Sequence, residues 1–387
     1  MYVETVNNSL SDSKRIVLLD VMRAWAVFMM IQGHTIDALL SNSYYSGDSL
    51  LFNIWQINRG LTAPIFLFGS GFAYVIATFR KMDGGGKLPA SVIFKRLRWI
   101  GVLFLIGSLM HLPAGTISSM FSLSPESWER FFHVDVLRLM SVTLLGMFTL
   151  FMLARNRRRL FTSALSIGLG FILIAPLIYQ FDWASFSPLW FAAWMTTATG
   201  SWFPVFPFAG YMFLGAAGAA LYLKWQEEGR AAMLPKYYFI AGAVLFLAFF
   251  VPREFIGWKI THLGASSSIW LSFSRLSLVL LLWAGVGMLL QYVKNVPRII
   301  QIAGQHTLFI YVSHIVVLYG SAWMPGLRQT FGKTLELGPT LMIISLLLVS
   351  TSLAAYWMHT QKLQKSVVYR YLPYAAMVVL GTILLFA

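Results

Sequence analysis

Long apolar runs recur along the whole 387-residue chain, and they limit it to a membrane-spanning helical fold. Each run has about 17 to 25 residues, the length that a helix needs to cross the hydrocarbon core of a bilayer. Short segments rich in Lys and Arg separate the runs. We therefore predict an all-α, polytopic helical bundle of about eleven transmembrane helices. The predicted spans are 16–40, 60–79, 99–116, 136–154, 160–179, 204–223, 237–251, 268–291, 302–320, 338–358 and 371–387.

The basic residues predict how this bundle is oriented, because cytoplasmic loops are enriched in Lys and Arg. With residues 1–14 as a short cytoplasmic tail, the inner loops hold Arg80, Lys81, Lys87, Lys95, Arg96, Arg98, Arg155, Arg157, Arg158, Arg159, Lys224, Arg230, Lys236, Lys294, Arg298, Lys362, Lys365 and Arg370. The outer loops hold fewer: Arg59, Arg130, Arg253, Lys259, Arg328 and Lys333. We expect a cytoplasmic N-terminus, an external C-terminus and a single transmembrane domain over 1–387.

Composition excludes several other classes of protein. Hydrophobic residues make up 58% of the chain and charged residues 11%, whereas a soluble domain has about 25% charged residues. The net charge of +15 does not indicate a nucleic-acid partner, because the basic residues stand in short clusters between apolar runs. The absence of Cys excludes disulfides, a thiol nucleophile and thiolate metal ligands, and we expect no metal site.

The first span carries charges that are expensive in lipid. Asp20, Arg23, His34 and Asp37 fall within roughly a 100° arc of one helix, so this face must meet protein or water. Arg23 and His34 are about three turns apart, which places one toward each membrane surface. A helix of this kind is suited to connect chemistry at the two sides of a membrane.

Further polar residues enter the predicted outer half of the bundle from separate helices. Their similar depth indicates a shared polar cavity. Within it we expect substrate-binding roles for Arg59, His133, Asp135, Arg138, Arg275 and His314, and His111 lies at the same depth. Glycines in the second and sixth spans, Gly69, Gly71, Gly210, Gly215 and Gly218, predict close helix packing.

His34 is the residue that we expect to be catalytic, because an imidazole can take a proton from a hydroxyl or an amine near neutral pH. Asp37, one turn further on, is expected to hold the ring in one tautomer. The alternative is a histidine that only satisfies a neighbouring helix.

A second predicted site lies in the inner half of the bundle, where Arg23, Arg96 and Arg98, with Asp20, would bind an anionic ligand from the cytoplasm. The alternatives are a local ion pair between Asp20 and Arg23, and basic residues that only mark topology.

These residues resemble the transmembrane acyltransferases. The first helix has Leu-Asp-x-x-Arg followed by ten residues and His34, which is similar to the acyltransferase type 3 group. Four other segments are closer to the heparan-alpha-glucosaminide N-acetyltransferase-like group: RGLTAPIFLFGSGF (59–72), VDVLRLMSV (134–142), WFPVFPFAGYMFLGAA (202–217) and GQHTLFIYVSHIVVLYG (304–320).

The resemblance implies a membrane enzyme that takes an acyl group, usually acetyl, from cytoplasmic acyl-CoA and delivers it to a carbohydrate or glycolipid on the other face. It implies a donor-side role for Arg23 and a catalytic role for His34. The sequence departs from the pattern in two places. Ala24 stands where Gly is usual, and no His occurs between His34 and His111, where the heparan-type enzymes have their catalytic histidine.

Two other functions stay open. A secondary transporter or flippase for a small polar or sugar-containing substrate would also have mid-membrane charges and Gly- or Pro-broken helices, although the sequence shows no inverted repeat. A non-catalytic scaffold would lose stability, but no covalent chemistry, on substitution of His34. The expected partners are the lipid bilayer, acyl-CoA, a glycan or glycolipid acceptor and, as an open alternative, a second copy of the chain. Short loops favour a bacterial inner membrane.

Overall fold

Long helices account for most of the computed structural model, which describes residues 16–45, 50–82, 88–154, 156–255, 268–293 and 295–367, together with 371, 378 and 381–384. The long helices are α1 (Val17–Leu39), α2 (Leu50–Phe79), α3 (Ala90–Leu109), α4 (Val136–Leu153), α5 (Arg157–Ile178), α6 (Val205–Glu227), α7 (Leu234–Leu245), α8 (Ile269–Tyr292), α9 (Arg298–Gln305), α10 (Thr307–Tyr319) and α11 (Leu337–Leu363). A π-helical turn (Phe246–Phe250) and the helix Val251–Phe255 continue α7.

Short helices form the connections at Ile117–Met120, Pro125–Phe132, Trp183–Phe186, Leu189–Met195 and Leu327–Phe331, with 3₁₀ turns at Asn42–Tyr44 and Ala231–Met233. In the described part of the chain there are two isolated β-bridges and no strand. The prediction of an all-α polytopic bundle is therefore confirmed.

Seven described helices are long and apolar enough to cross a membrane, and α9 with α10 would make an eighth span. The predicted span 371–387 and the predicted tail 1–14 lie largely or wholly outside the described residues, as do the Gly-rich 83–87 and the loop 256–267. The count of about eleven spans and the orientation of the bundle thus remain predictions.

Three predicted spans have clearly different bounds in the structure. The predicted span 60–79 begins at Leu50, so Arg59, which we expected in an outer loop, lies within α2. The predicted span 302–320 is broken at His306, where α9 and α10 meet at an angle of 78°. The span predicted at 99–116 begins at Ala90 and ends at Leu109, so Arg96 and Arg98 belong to α3 and not to the loop before it. Pro89 is the N-cap of this helix, a position where the missing N–H of proline costs no intrahelical hydrogen bond.

Close backbone contacts hold the centre of the bundle together. A Cβ at Gly71 would overlap with the Met212 carbonyl, and one at Gly215 would overlap with the Phe68 carbonyl. Glycine at these positions lets α2 and α6 touch along their backbones, as the sequence predicts. In the same way Gly304 brings α9 against the Asp20 carbonyl of α1. α1 also packs against α2 and α10, and it therefore lies inside the bundle.

Candidate active site

A cavity of about 1760 Å³ opens at the end of the bundle where α1 terminates. Six of the polar residues that the sequence singled out lie on its wall: His34, Asp37, Arg59, His111, His133 and Arg275. They come from α1, α2, α8 and the segments around α3 and α4. The predicted shared cavity is therefore present, and its volume is large enough for a substrate of several rings.

A pair of histidines forms the centre of the cavity wall. Nδ1 of His34 lies 2.9 Å from Nε2 of His314, and the two rings are nearly parallel, with centroids 5.2 Å apart. His314 is completely buried behind His34, and its Nδ1 lies 2.8 Å from the Ile310 carbonyl oxygen. His314 is not on the cavity wall itself, although the sequence suggested that it binds substrate.

This arrangement determines the proton positions of the neutral pair. A carbonyl oxygen only accepts hydrogen bonds, so Nδ1 of His314 must carry the proton and its Nε2 must be an acceptor. Nδ1 of His34 must then be the donor to that acceptor. It follows that Nε2 of His34 carries the lone pair that a general base needs.

Tyrosines from α10 enclose the pair. The ring of Tyr311 meets both imidazoles edge-on, with centroid distances of 6.5 Å to His34 and 5.5 Å to His314. The Tyr319 hydroxyl donates to the His34 carbonyl oxygen at 3.3 Å, in the last turns of α1. These contacts fix the position of α1 relative to α10 and restrict the His34 ring to one orientation.

Asp37 does not contact the His34 ring, which differs from the sequence expectation. Its carboxylate forms an ion pair with the Arg59 guanidinium of α2, and both groups are partly exposed on the cavity wall. In the structure the side chain bonded to the His34 ring is that of His314. Sequence reasoning missed this because the two histidines are 280 residues apart.

Arg275 enters the cavity from α8. Its side chain passes beside Gly60, where a Cβ would come within 3.5 Å of the guanidinium. The group is partly buried and lies on the cavity wall. Among the residues that the structure describes, none accepts a hydrogen bond from it or forms an ion pair with it. A guanidinium in this position can donate hydrogen bonds to a ligand in the cavity.

Asp135 and Arg138 do not line the cavity, although the sequence placed both in the substrate site. The Asp135 carboxylate caps α4 by accepting from the Arg138 backbone N–H at 2.8 Å. The Arg138 guanidinium donates to the carbonyl oxygens of Phe131 and His133. Both side chains are buried and hold the turn before α4, so they support the site from outside it.

One wall of the cavity contains an aromatic group that the sequence pattern did not single out. Trp202 lies there with its ring centroid 5.6 Å from that of His111 and 6.3 Å from that of His133. Partial burial, and then the nearby His111, lower the pKa of His133, which stands outside the spanning helices. In the sequence this Trp stood only within the segment 202–217 that carries the family resemblance, and no signal distinguished it from an interfacial anchor.

The residues expected on the donor side lie near the other end of α1. Arg23 donates to the Thr307 hydroxyl at 2.7 Å, at the first residue of α10, and Gln305 donates to the buried Asp20 at 3.4 Å. α1 is thus bonded to both sides of the break between α9 and α10. In α3, Arg96 lies over the Tyr74 ring at 4.9 Å, and Arg98 is exposed.

Comparison with known families gives one match. The family model described as heparan-alpha-glucosaminide N-acetyltransferase, catalytic, matches residues 15–248, which is more than half of the chain. The chain belongs to this family. Membership makes it a membrane acetyltransferase in general terms, in a family whose usual donor is acetyl-CoA. No curated protein matches it.

The match to the heparan-alpha-glucosaminide N-acetyltransferase family covers α1 to α7 and includes His34, Arg59 and His133. Arg275 and His314 lie beyond it. The histidine pair therefore joins a residue inside the matched region to one outside it, and only the folded chain brings the two together.

Proposed function

We propose that the protein transfers an acyl group, most simply acetyl, from cytoplasmic acyl-CoA to a hydroxyl or amine of a carbohydrate or glycolipid acceptor at the outer face. Family membership supports the acetyl group, and the observation that carries the reaction is the His34–His314 pair. A buried imidazole behind a cavity-facing imidazole leaves one basic nitrogen exposed to a substrate, which is what acyl transfer to a weak nucleophile requires.

In this mechanism His34 is the general base. Its Nε2 takes the proton from the acceptor hydroxyl or amine while the acceptor atom attacks the thioester carbonyl carbon. The tetrahedral intermediate then expels the thiolate of CoA, and the proton on Nε2 passes to that sulfur, so the imidazole returns to its starting state. In the second route that the same geometry permits, His34 Nε2 attacks the thioester carbonyl carbon and the C–S bond breaks to release the thiolate of CoA. The acyl-imidazolium then passes the acyl group to the acceptor hydroxyl or amine, whose proton goes to that thiolate, and the imidazole returns to its starting state.

Arg275 is proposed as the group that stabilises the oxyanion of the intermediate. The guanidinium is a fixed cation on the wall shared with His34 and has no protein acceptor among the described residues. Arg138, which the sequence placed in the same cavity, already donates to two backbone carbonyls. A preorganised donor of this kind typically increases kcat by a factor of about 10²–10³.

Arg23 is proposed to act on the donor side, with Asp20 holding the neighbouring Gln305. The guanidinium is bonded to Thr307 at the N-terminus of α10, where backbone N–H groups and the helix dipole favour an anion. Arg96 and Arg98 would add positive charge along α3 for a phosphate-bearing donor. The proposal includes a cytoplasmic N-terminus and a multi-pass location in a bacterial inner membrane.

The test is acceptor-stimulated release of free CoA from acetyl-CoA by purified protein in detergent, with a membrane glycan extract as the source of acceptor. His34→Ala and the matched variant His359→Ala are compared with wild type, because His359 stands near His306 and away from the cavity wall. We expect release by wild type and His359→Ala, and none above background by His34→Ala. Equal release by all three would remove His34 from the mechanism.

A secondary transporter or flippase remains a second candidate because of the 78° break between α9 and α10. Broken helices with half-helix termini directed at a polar site are typical of transporters. Uptake or flipping of a sugar-containing substrate by proteoliposomes, in the absence of any acyl donor and unchanged in His34→Ala, would favour this function over acyl transfer.

A further inference from the structure

Trp202 has an unusual position for a large aromatic side chain. It is 59% exposed, yet its ring lies on the wall of the cavity that contains His34 and Arg275. An aromatic face left open toward a polar cavity is suited to an amphipathic ligand, because each face of the ring carries negative charge density over a large apolar area.

The backbone around Trp202 is held rigidly. The Val134 N–H donates to the buried Ser201 hydroxyl at 2.9 Å, and the Phe203 N–H donates to the Val134 carbonyl at 3.0 Å. Residues on both sides of Trp202 are thus bonded to the segment that begins α4. The indole therefore projects from an anchored backbone, which reduces the entropy lost when a ligand stacks on it.

Two imidazoles stand beside the indole on the same wall. Nδ1 of His111 lies 2.8 Å from the Gly107 carbonyl oxygen, so in the neutral ring Nε2 is left as an acceptor. The His133 ring lies against Gly200, where a Cβ would come within 2.6 Å of its Nε2. Gly200 also has a φ of +92°, a conformation that favours glycine. Glycine is therefore required here both for the backbone conformation and for the space that the His133 ring occupies.

These imidazoles are suited to neutral hydroxyl groups. Partial burial and the neighbouring His111 lower the pKa of His133, which favours its uncharged form at about pH 7. His111 donates through Nδ1 to the Gly107 carbonyl, and His133 donates to the Thr199 backbone, so each uncharged ring offers its remaining nitrogen as an acceptor for a sugar O–H. The cationic groups on the cavity wall are Arg59, Arg130, Arg275, Arg328 and Lys333, and of these Arg130 belongs to the short helix that ends directly before His133.

We propose that Trp202, His111 and His133 form a subsite for an uncharged pyranose ring of the acceptor. The apolar C–H face of the sugar stacks on the indole, and its ring hydroxyls bond to the two imidazoles. This subsite rests on the proposed function for its place in the reaction, since it holds the acceptor while another part of the same acceptor reaches His34. The chemical class of the ligand is a neutral hexose or N-acetylhexosamine unit.

The test is binding of neutral methyl glycosides of glucose, galactose, mannose and N-acetylglucosamine, measured by saturation-transfer difference NMR on the detergent-solubilised full chain with no acyl donor present. Trp202→Leu removes the aromatic face and Trp202→Phe retains it. Trp190→Leu is the matched control, because Trp190 is 55% exposed and is absent from the cavity wall. His34→Ala is a second control, because it removes the reacting group and leaves the indole.

We expect at least one glycoside to bind wild type, Trp190→Leu and His34→Ala alike. Trp202→Leu should weaken that binding by about five- to tenfold, and Trp202→Phe should weaken it less. Equal binding by Trp202→Leu and wild type, or no binding of any glycoside by folded wild type, would overturn the subsite. Binding without acceptor-stimulated release of CoA would instead contradict only the proposed acyl transfer.

Discussion

Nδ1 of His34 lies 2.9 Å from Nε2 of His314, and the other nitrogen of His314 is bonded to the Ile310 carbonyl. This series of hydrogen bonds runs from the backbone carbonyl through the two imidazoles to the cavity, and it allows one arrangement of protons when both rings are neutral. His314 is thus proposed as a positioning residue, because it acts on substrate only through the tautomer and orientation of His34.

Substitution of His314 tests this relationship. His314→Leu removes the acceptor for His34 Nδ1, so we expect kcat to fall by about 10²-fold with little change in the KM for either substrate. His314→Gln should restore part of the loss, since its amide oxygen can accept from His34. The measurement is steady-state CoA release, with thermal unfolding as a check on folding. A purely structural role would instead lower stability in both variants and give no rescue by Gln.

Asp37 gives a contrasting prediction. In a triad, replacing the orienting carboxylate by an amide lowers kcat by about 10⁴-fold. Here the carboxylate forms an ion pair with Arg59 and does not contact the His34 ring. Asp37→Asn should therefore lower activity by about tenfold or less and leave the pH profile of kcat unchanged. A loss of about a thousandfold together with a shifted profile would mean that Asp37 acts on His34 in the working enzyme.

Substitution of Arg275 should lower activity without lowering stability. Arg275→Gln removes the proposed oxyanion donor, so we expect kcat to fall by about 10²–10³-fold. Because no described residue bonds this guanidinium, its loss should change the free energy of unfolding by less than about 1 kcal/mol. Full activity with a large drop in thermal stability would contradict the assignment and make Arg275 structural.

The glycine contacts between α2 and α6 predict a stability difference. A Cβ at Gly71 would overlap with the Met212 carbonyl, whereas one at Gly101 would meet nothing within 4 Å. Gly71→Ala should therefore destabilise the protein by about 2 kcal/mol or more. Gly101→Ala, in the middle of α3, should be neutral or stabilise by up to about 1 kcal/mol. Thermal unfolding in detergent compares the two, and equal melting temperatures would contradict the packing described here.

The sequence predicted the helices well because apolar length and Lys/Arg-rich boundaries are local properties. It also selected His34, Arg59 and Arg275, since a polar residue within an apolar run must face protein or water and cannot face lipid at low cost. The close approach of α2 and α6 followed in the same way from glycines at helical spacing.

The pairing of these residues could not be read from the sequence. Asp37 is one turn from His34 along α1, and local spacing favoured it as the partner. In the folded chain Asp37 forms an ion pair with Arg59 of α2, and the His34 ring is hydrogen-bonded to His314 of α10. Such contacts depend on how the helices are rotated against one another, which hydropathy does not specify. The exclusion of Arg138 from the cavity has the same cause, because its neighbours Phe131 and His133 supply the acceptors.

The most direct test of the proposed role of His34 follows the acyl group itself. Purified wild type and a folded His34→Ala variant are incubated with radiolabelled acetyl-CoA and a membrane glycan extract, and the label in the carbohydrate fraction is counted. We expect label in the glycan with wild type and none above background with His34→Ala. Equal labelling by both proteins would contradict this role, because the acyl group would then reach the acceptor without the imidazole of His34.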